Sequence, residues 1–209
     1  MSTEPARDPH ETTPAGDPAG VVPRPDRRLL LEVGVGILLL VLVRVLVIES
    51  FHVPSGSMAP TIRPGDRVVV AKIGAGPVER GDLIVFDGTT TFARGAGDPS
   101  IDPGEQDYLK RVAGVGGDTV SCTPGGGLVV NDEPVAERWL APGEVPCDHP
   151  FDVGVPPGRL FVLGDNRSES NDSRSHLGDP GGGMVPLEDV IGHVVWRYWP
   201  LARTGGLGD

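Results

Sequence analysis

A run of apolar residues from Leu29 to Ile48 constrains this chain more than any other feature. Its twenty residues would form a helix of about 30 Å, which matches the hydrocarbon core of a bilayer. The two charged residues in the run, Glu32 and Arg44, lie near its ends, where long side chains can reach the headgroups. We predict a single transmembrane helix over residues 29–48. A cleavable signal sequence would have a shorter core and a small-x-small cut site, and helices this apolar on all faces are rare in the core of small domains.

The charged residues before the run predict its orientation in the membrane. Arg24, Arg27 and Arg28 precede it, so the positive-inside rule places the N-terminus in the cytoplasm and the residues from about 50 onward outside. Residues 1–28 contain few large apolar residues and are predicted to be a disordered cytoplasmic tail. Residues 49–209 are long enough for one substantial core. The predicted localisation is therefore a cell membrane, with a single pass and an extracytoplasmic domain.

The chain beyond the apolar run is predicted to be mainly β, because short stretches rich in β-branched or aromatic residues alternate with turn residues. These stretches are Arg67–Ala71, Leu83–Phe86, Asp118–Ser121, Leu128–Val130, Arg159–Leu163 and Val190–Trp196. The 31 glycines and 22 prolines would interrupt long helices repeatedly. Residues 134–157 are predicted to be loop. The net charge of −11 and the lack of a basic patch argue against nucleic acid as a partner.

The chain has two cysteines, Cys122 and Cys147, and both fall on the predicted extracytoplasmic side. Disulfides persist in such oxidising surroundings, so a bridge between them is predicted. A zinc site is the alternative, which the lack of a C-x-x-C motif or paired histidines disfavours.

Ser57, in the segment Pro54–Thr61, is a candidate nucleophile that follows the predicted membrane segment closely. A serine hydroxyl needs a base that takes its proton as it attacks. Histidine is the usual base, but none of the histidines beyond the apolar run has a local setting like that of a Ser-His-Asp triad; they are His52, His149, His176 and His193.

Lys110 is the better candidate for the base. Its apolar neighbours, Leu109 and Val112 among them, would desolvate the ammonium group and lower its pKa, and a neutral lysine can accept a proton. The alternative for a lysine in such a stretch is an ordinary exposed position on a strand.

Four segments in order carry a resemblance to a known family. They are Pro54–Thr61 with Gly65–Asp66, Arg80–Phe86, Tyr108–Val112 with Gly117–Asp118, and Gly164–Arg167 continuing to Asp172–Arg174. Each segment alone is a weak signal, but the ordered set behind an N-terminal anchor resembles the sequence boxes of bacterial type I signal peptidases, also called leader peptidases. The resemblance covers most of the predicted extracytoplasmic domain. It implies a signal-peptidase-like β fold with a smaller inserted β lobe and variable insertions at about 87–107 and 119–155, to which no catalytic role is assigned.

The resemblance also implies roles for individual residues. Ser57 would be the nucleophile and Lys110 the general base of a Ser-Lys dyad. The hydroxyl of Ser55 would join the backbone N–H of Ser57 in an oxyanion hole. The implied supporting residues are Ser170, which would orient the lysine, the ion pair Asp172 and Arg174, and, from the same loop, Asp165 and Arg167.

The implied function is a membrane-anchored serine endopeptidase that removes signal peptides at Ala-x-Ala-like sites and needs neither metal nor organic cofactor. Its expected partners are the signal peptides of secreted preproteins, the lipid bilayer and the secretion translocon. Two alternatives remain open. One is another Ser-Lys peptidase, such as a LexA-like self-cleaving regulator, although those proteins carry a DNA-binding module and no membrane anchor. The other is a membrane-anchored binding protein that keeps the β fold without activity.

Overall fold

The computed structural model describes residues 26–74, 76–92, 107–141 and 143–207. By compactness the chain divides into Met1–Leu38 and Leu39–Asp209. The described part of the first unit is the beginning of helix α1 (Arg27–Leu46), and the second unit holds the β-strands. Residues 1–25 of the predicted tail and residues 93–106 of the first predicted insertion lie outside the described residues.

Helix α1 exposes its large apolar side chains on all faces from Leu29 to Val43. Arg27 and Arg28, predicted to belong to the tail, form the first turn of the helix. The prediction is also wrong at the other end, because Ile48 leaves the helix and pairs with Ala71 in a β-ladder. In the described parts of the chain, no helix is both long enough and apolar enough to cross a membrane. The transmembrane segment stays a prediction.

The mainly β fold is confirmed. Its strands are β1 (Ile48–His52), β2 (Arg67–Ala71), β3 (Leu83–Asp87), β4 (Asp107–Val115), β5 (Thr119–Cys122), β6 (Leu128–Val130), β7 (Glu133–Pro134), β8 (Phe151–Gly154), β9 (Arg159–Leu163), β10 (Val185–Pro186), β11 (Val190–Trp199) and β12 (Gly205–Gly206). Each of the six predicted stretches coincides with a strand to within a few residues at its ends. Short 3-10 helices lie at Arg167–Glu169, Ser173–His176, Leu187–Asp189 and Leu201–Arg203.

The larger sheet has the strand order β1-β2-β11-β3-β4-β9-β10, with β12 added on β11, and its neighbours are antiparallel. Strand β4 lies between β3 and β9 in this sheet. Because side chains alternate along a strand, Lys110 and Val112 share one face of β4, and Arg111 and Ala113 share the other. Val112 and Ala113 accordingly pack into two different apolar clusters. The candidate base and Arg111 therefore face opposite sides of the same strand.

The smaller sheet, β7-β6-β5-β8, forms an inserted lobe between β4 and β9. Strand β8 lies in the region predicted to be loop; the prediction is wrong there because Phe151–Gly154 pairs with Cys122–Thr119 of β5. Cys122 and Cys147 form a disulfide with their Cα atoms 5.8 Å apart, as predicted. The bridge ties the chain that precedes β8 to the end of β5.

Asp118 fixes the turn that leads from β4 into this lobe. Its carboxylate accepts hydrogen bonds from the Arg80 guanidinium at 2.6 and 2.8 Å, from the Val115 N–H at 2.9 Å and from the Asn131 amide at 2.9 Å. Burial alone would raise the pKa of Asp118, but these hydrogen bonds outweigh it and lower the pKa below its ordinary value. The carboxylate is therefore ionised at neutral pH and stabilises the turn.

Candidate active site

The candidate nucleophile, Ser57, lies on a tight turn between β1 and β2. The Ala59 N–H donates to the Gly56 carbonyl at 3.0 Å, and the Ile62 N–H donates to the Met58 carbonyl at 2.9 Å. Met58 and Ile62 are fully buried in the apolar cluster beneath the turn. Burial of these two side chains anchors the turn, so Ser57 is held in place and only 7% exposed.

Lys110 on β4 meets this turn directly. Its Nζ atom lies 3.0 Å from the Ser57 Oγ and donates a second hydrogen bond to the Leu109 carbonyl at 3.2 Å. The side chain is 4% exposed, and the ring of Tyr108 lies 5.9 Å from Nζ. Burial disfavours the ammonium form of a lysine, and a neutral amine at hydrogen-bond distance can take the proton of a hydroxyl. The pair therefore has the geometry that a nucleophile and its base require.

Ser55 and Asn166 lie on either side of the nucleophile. The Ser55 Oγ is 3.3 Å from the Ser57 Oγ. The backbone N–H of Asn166 donates to the Ser57 carbonyl at 3.0 Å, and its side-chain amide donates to the Gly56 carbonyl at 3.0 Å. These two bonds fix the peptide planes around Ser57, including the direction of its N–H. Asn166 stands within one of the segments that carried the family resemblance, but the sequence assigned it no role.

Ser170 packs close to the nucleophile turn because Gly164, which lies between them, has no side chain. A Cβ atom at position 164 would lie 2.1 Å from the Ser170 Oγ and 2.6 Å from the Ser57 carbonyl oxygen, closer than packing allows. Gly164 thus lets Ser170 and the nucleophile turn approach from two sides. The Ser170 Oγ is buried, and none of the described groups hydrogen-bonds to it. The predicted contact with Lys110 is not among the hydrogen bonds of this structure.

Asp172 and Arg174 form the predicted ion pair. The Asp172 carboxylate, fully buried, accepts hydrogen bonds from the Arg174 Nε at 2.9 Å, the Arg174 Nη2 at 3.0 Å and the Gly164 N–H at 3.0 Å. Burial would lower the pKa of Arg174, but its hydrogen bonds and ion pair with Asp172 outweigh it and raise the pKa. Arg174 thus holds the Asp172 carboxylate, which fixes the backbone at Gly164.

Asp165 and Arg167 lie in the same loop but do not pair with each other. Asp165 accepts two hydrogen bonds of 2.8 Å from the Arg111 guanidinium and one of 2.6 Å from the Thr61 hydroxyl. Arg167 forms an ion pair with Glu137 from the inserted lobe. Asp165 therefore joins β4 to the nucleophile turn, whereas Arg167 joins the loop to the lobe. Thr61, Arg111 and Glu137 were not predicted, because their partners are distant in the sequence.

None of the histidines in the described part of the chain hydrogen-bonds to Ser57. His176 Nδ1 lies 2.8 Å from an Asp179 carboxylate oxygen, and His193 Nδ1 lies 3.3 Å from that of Asp82. The part of the chain that the structure describes contains no group of three or more His, Cys, Asp or Glu side chains that could hold a metal ion.

Comparison with known proteins gives concordant matches. The profile of the family described as signal peptidase, peptidase S26, matches residues 27–199. The chain is similar to signal peptidase I of Leptolyngbya laminosa, with 36% identity over 100% of this chain and 98% of that protein. It is also similar to signal peptidase I of Mycobacterium tuberculosis, with 33% identity over 88% of this chain and 77% of that protein. Among solved structures, a signal peptidase I from Enterococcus faecalis matches with 26% identity and a TM-score of 0.44, over 58% of this chain and 99% of that chain.

Proposed function

Because this chain belongs to the signal peptidase family, peptidase S26, we propose that it removes signal peptides with Ser57 as nucleophile and Lys110 as general base. The chain is a serine peptidase, a hydrolase of the signal peptidase I type, and its substrates are exported preproteins. The resemblance inferred from the sequence is confirmed at this level. The 3.0 Å separation between the Lys110 Nζ and the Ser57 Oγ, both buried, is the observation that carries the assignment of the dyad.

In the proposed reaction the Ser57 Oγ attacks the scissile carbonyl while Lys110 takes the hydroxyl proton. The negative charge that develops on the carbonyl oxygen is stabilised by the Ser57 N–H and the Ser55 hydroxyl. The C–N bond then breaks, Lys110 returns the proton to the amine of the leaving mature chain, and an acyl-enzyme remains on Ser57. Water hydrolyses this ester with Lys110 again as the base, which releases the signal peptide and restores the free serine.

The loop after β9 supports the dyad in this proposal. Asp172, held by Arg174, fixes the Gly164 N–H, and Gly164 lies against the Ser57 carbonyl. Ser170 is assigned the role of orienting Lys110. Its side chain packs against Gly164, which also faces the Ser57 carbonyl, and this position beside the nucleophile supports that role.

The expected cleavage site is of the Ala-x-Ala type. The reacting atoms are nearly buried, with Ser57 7% and Lys110 4% exposed, so a substrate residue that delivers its carbonyl to them has little room for a side chain. An extended substrate places alternate side chains on the same face, so the first and third residues before the cut would face the enzyme together. Small residues are therefore expected at both positions.

The test uses the full chain in detergent and a peptide that spans an Ala-x-Ala signal-peptide junction, with the products mapped by mass. Cleavage after the second alanine is expected from the parent enzyme. Ser57→Ala and Lys110→Met should both be inactive, whereas Ser175→Ala, an exposed serine of the neighbouring 3-10 helix, should cleave at the parent rate. Cleavage by Ser57→Ala would overturn the assignment of the nucleophile. A folded parent protein that cleaves nothing would favour the inactive binding protein instead.

We further propose that α1 attaches the enzyme to a lipid bilayer with the N-terminus cytoplasmic. Signal peptidase I proteins are membrane associated in general, and exposed apolar side chains on all faces of α1 support this attachment. The full chain should stay in the membrane pellet after carbonate extraction, and a tag at the N-terminus should resist external protease. A variant without residues 27–46 is the control and should be released. Release of the full chain would contradict the proposal. The translocon stays an expected partner.

A further inference from the structure

The segment Glu137–Trp139 of the inserted lobe touches two arginines that flank the candidate active site. The carboxylate of Glu137 forms an ion pair with the Arg167 guanidinium, and the two side chains are only 5% and 3% exposed. The indole ring of Trp139 lies against the guanidinium of Arg111, with 4.4 Å between the guanidinium carbon and the ring centre. A buried ion pair and a cation–π contact therefore join the lobe to the rest of the domain.

Arg111 is next in sequence to a dyad residue, and Arg167 is next to a residue that hydrogen-bonds to the nucleophile turn. Arg111 follows Lys110 on β4 and faces the opposite side of the strand. Arg167 follows Asn166, whose two N–H groups hold the carbonyls of Gly56 and Ser57 at 3.0 Å. A shift of either arginine would be transmitted through one backbone step to the base or to the nucleophile.

Apolar packing also joins the lobe to the larger sheet, because Leu128 of the lobe shares a buried cluster with Ala113 of β4 and Leu163 of β9. A pocket of about 250 Å³ lies between them, and its lining includes Arg111, Ala113, Glu137, Trp139 and Arg167. Beside this pocket the lobe contacts Arg167 through Glu137 and Arg111 through Trp139. The lobe side of the attachment is braced by the disulfide, since the Pro146 carbonyl, next to Cys147, accepts a 2.7 Å hydrogen bond from the Arg167 Nη1.

We propose that Glu137 and Trp139 of the inserted lobe are positioning residues for the Ser57-Lys110 dyad, and that their contacts with Arg167 and Arg111 affect kcat. The inference rests on the proposed function, and it gives a role to a region of the chain in which the sequence predicted none. Glu137 acts through Arg167 and Asn166 on the nucleophile turn. Trp139 acts through Arg111 on the strand that carries Lys110. Neither residue touches the reacting atoms.

The first test is Glu137→Gln, which removes the charge but keeps the size of the side chain. We expect kcat for the Ala-x-Ala peptide to fall by about 10- to 100-fold with KM within about twofold, because small misplacements of reacting groups act on the transition state. Glu133→Gln is the matched control, since Glu133 is exposed on β7 of the same lobe and its loss changes the net charge equally. It should leave both constants unchanged. A parent-like kcat in a folded Glu137→Gln protein would overturn the role of Glu137.

Loss of a partner from a buried ion pair can also unfold a protein. Trp139→Leu is therefore the second variant, which leaves all charges in place and should lower kcat in the same way. If Glu137→Gln does not fold, a parent-like kcat in Trp139→Leu overturns the proposal.

A double variant separates positioning from general destabilisation. If Glu137 acts through Asn166, then adding Glu137→Gln to Asn166→Ala should reduce kcat by much less than Glu137→Gln does in the parent enzyme. If the fold reductions in kcat of Glu137→Gln and Asn166→Ala simply multiply in the double variant, Glu137 does not act through Asn166. The same assay of Ser57→Ala distinguishes failure of the dyad from failure of the positioning role. Activity in Ser57→Ala refutes the dyad. An inactive Ser57→Ala together with a parent-like kcat in Glu137→Gln and Trp139→Leu refutes the positioning role alone.

Discussion

Gly164→Ala offers the sharpest test of how the loop after β9 shapes the site. The added methyl group would lie 2.1 Å from the Ser170 Oγ, 2.4 Å from the Ser170 Cβ and 2.6 Å from the Ser57 carbonyl oxygen. Ordinary contacts between such atoms are about 3.5 Å, so the neighbours must separate by about 1 Å. One of them is the backbone of the nucleophile itself. A displacement of that size costs about 100-fold in rate, and the overpacking costs about 1–3 kcal/mol of stability.

The assay is steady-state cleavage of the Ala-x-Ala peptide, together with thermal unfolding to establish that the variant is folded at the assay temperature. Gly178→Ala is the matched control, because Gly178 has an ordinary φ and a methyl group there would meet nothing within 4 Å. It should cleave at the parent rate. A folded Gly164→Ala enzyme with an unchanged kcat would refute the reasoning, since it would mean that the loop can retreat by about 1 Å without disturbing Ser57.

Three other predictions follow from the same structure. Ser55→Ala should lower kcat by about 100- to 1000-fold with less effect on KM, and Ser55→Thr should keep part of the rate. Lys110→Arg should be inactive because a guanidinium cannot give up its proton, and kcat/KM of the parent enzyme should rise with pH as the lysine is deprotonated. Asp118→Asn should lower the free energy of unfolding at pH 7 by about 1.5–3 kcal/mol. The pKa of Asp118 in the folded protein is lowered from 3.8. The stability difference between parent and variant should therefore persist as the pH falls to 3.8 and disappear as the pH falls through the folded pKa, which urea melts at a series of pH values would measure.

The parts of the fold that sequence reasoning predicted are those with strong local signals. Strand β3 contains the buried run Leu83–Phe86, which is rich in β-branched and aromatic residues and follows a Gly-Asp pair, so its sequence alone indicates a strand. The signal fails where neighbouring elements compete. Ile48 continues the apolar run of α1, and only its pairing with Ala71 of β2 makes it the start of β1. Strand β8 is short and bounded by prolines, and it is defined by its ladder with β5.

The candidate site divides in the same way. Ser57 and Lys110 could be named from their segments, but the 3.0 Å contact between them depends on a turn and a strand that are 53 residues apart. The partners of Asp165 and Arg167, which help to hold Ser57 and Lys110 in place, could not be predicted from the sequence at all. Asp165, which follows β9, pairs with Arg111 of β4, and Arg167 pairs with Glu137 from the inserted lobe, so neither partner could be inferred from its neighbours along the chain.

This difference explains why the supporting contacts matter for the rate. A short segment can specify a reactive side chain, but it cannot fix the distance of that side chain from a partner on another element. In the proposed positioning role, a chain of contacts runs from Glu137 through Arg167 to Asn166, whose N–H holds the Ser57 carbonyl. Because the steps are a buried ion pair, one backbone step and a hydrogen bond, we expect a substitution at Glu137 to affect the dyad. The inserted lobe is thus expected to contribute to catalysis through the geometry it imposes, without any group of its own near the scissile bond.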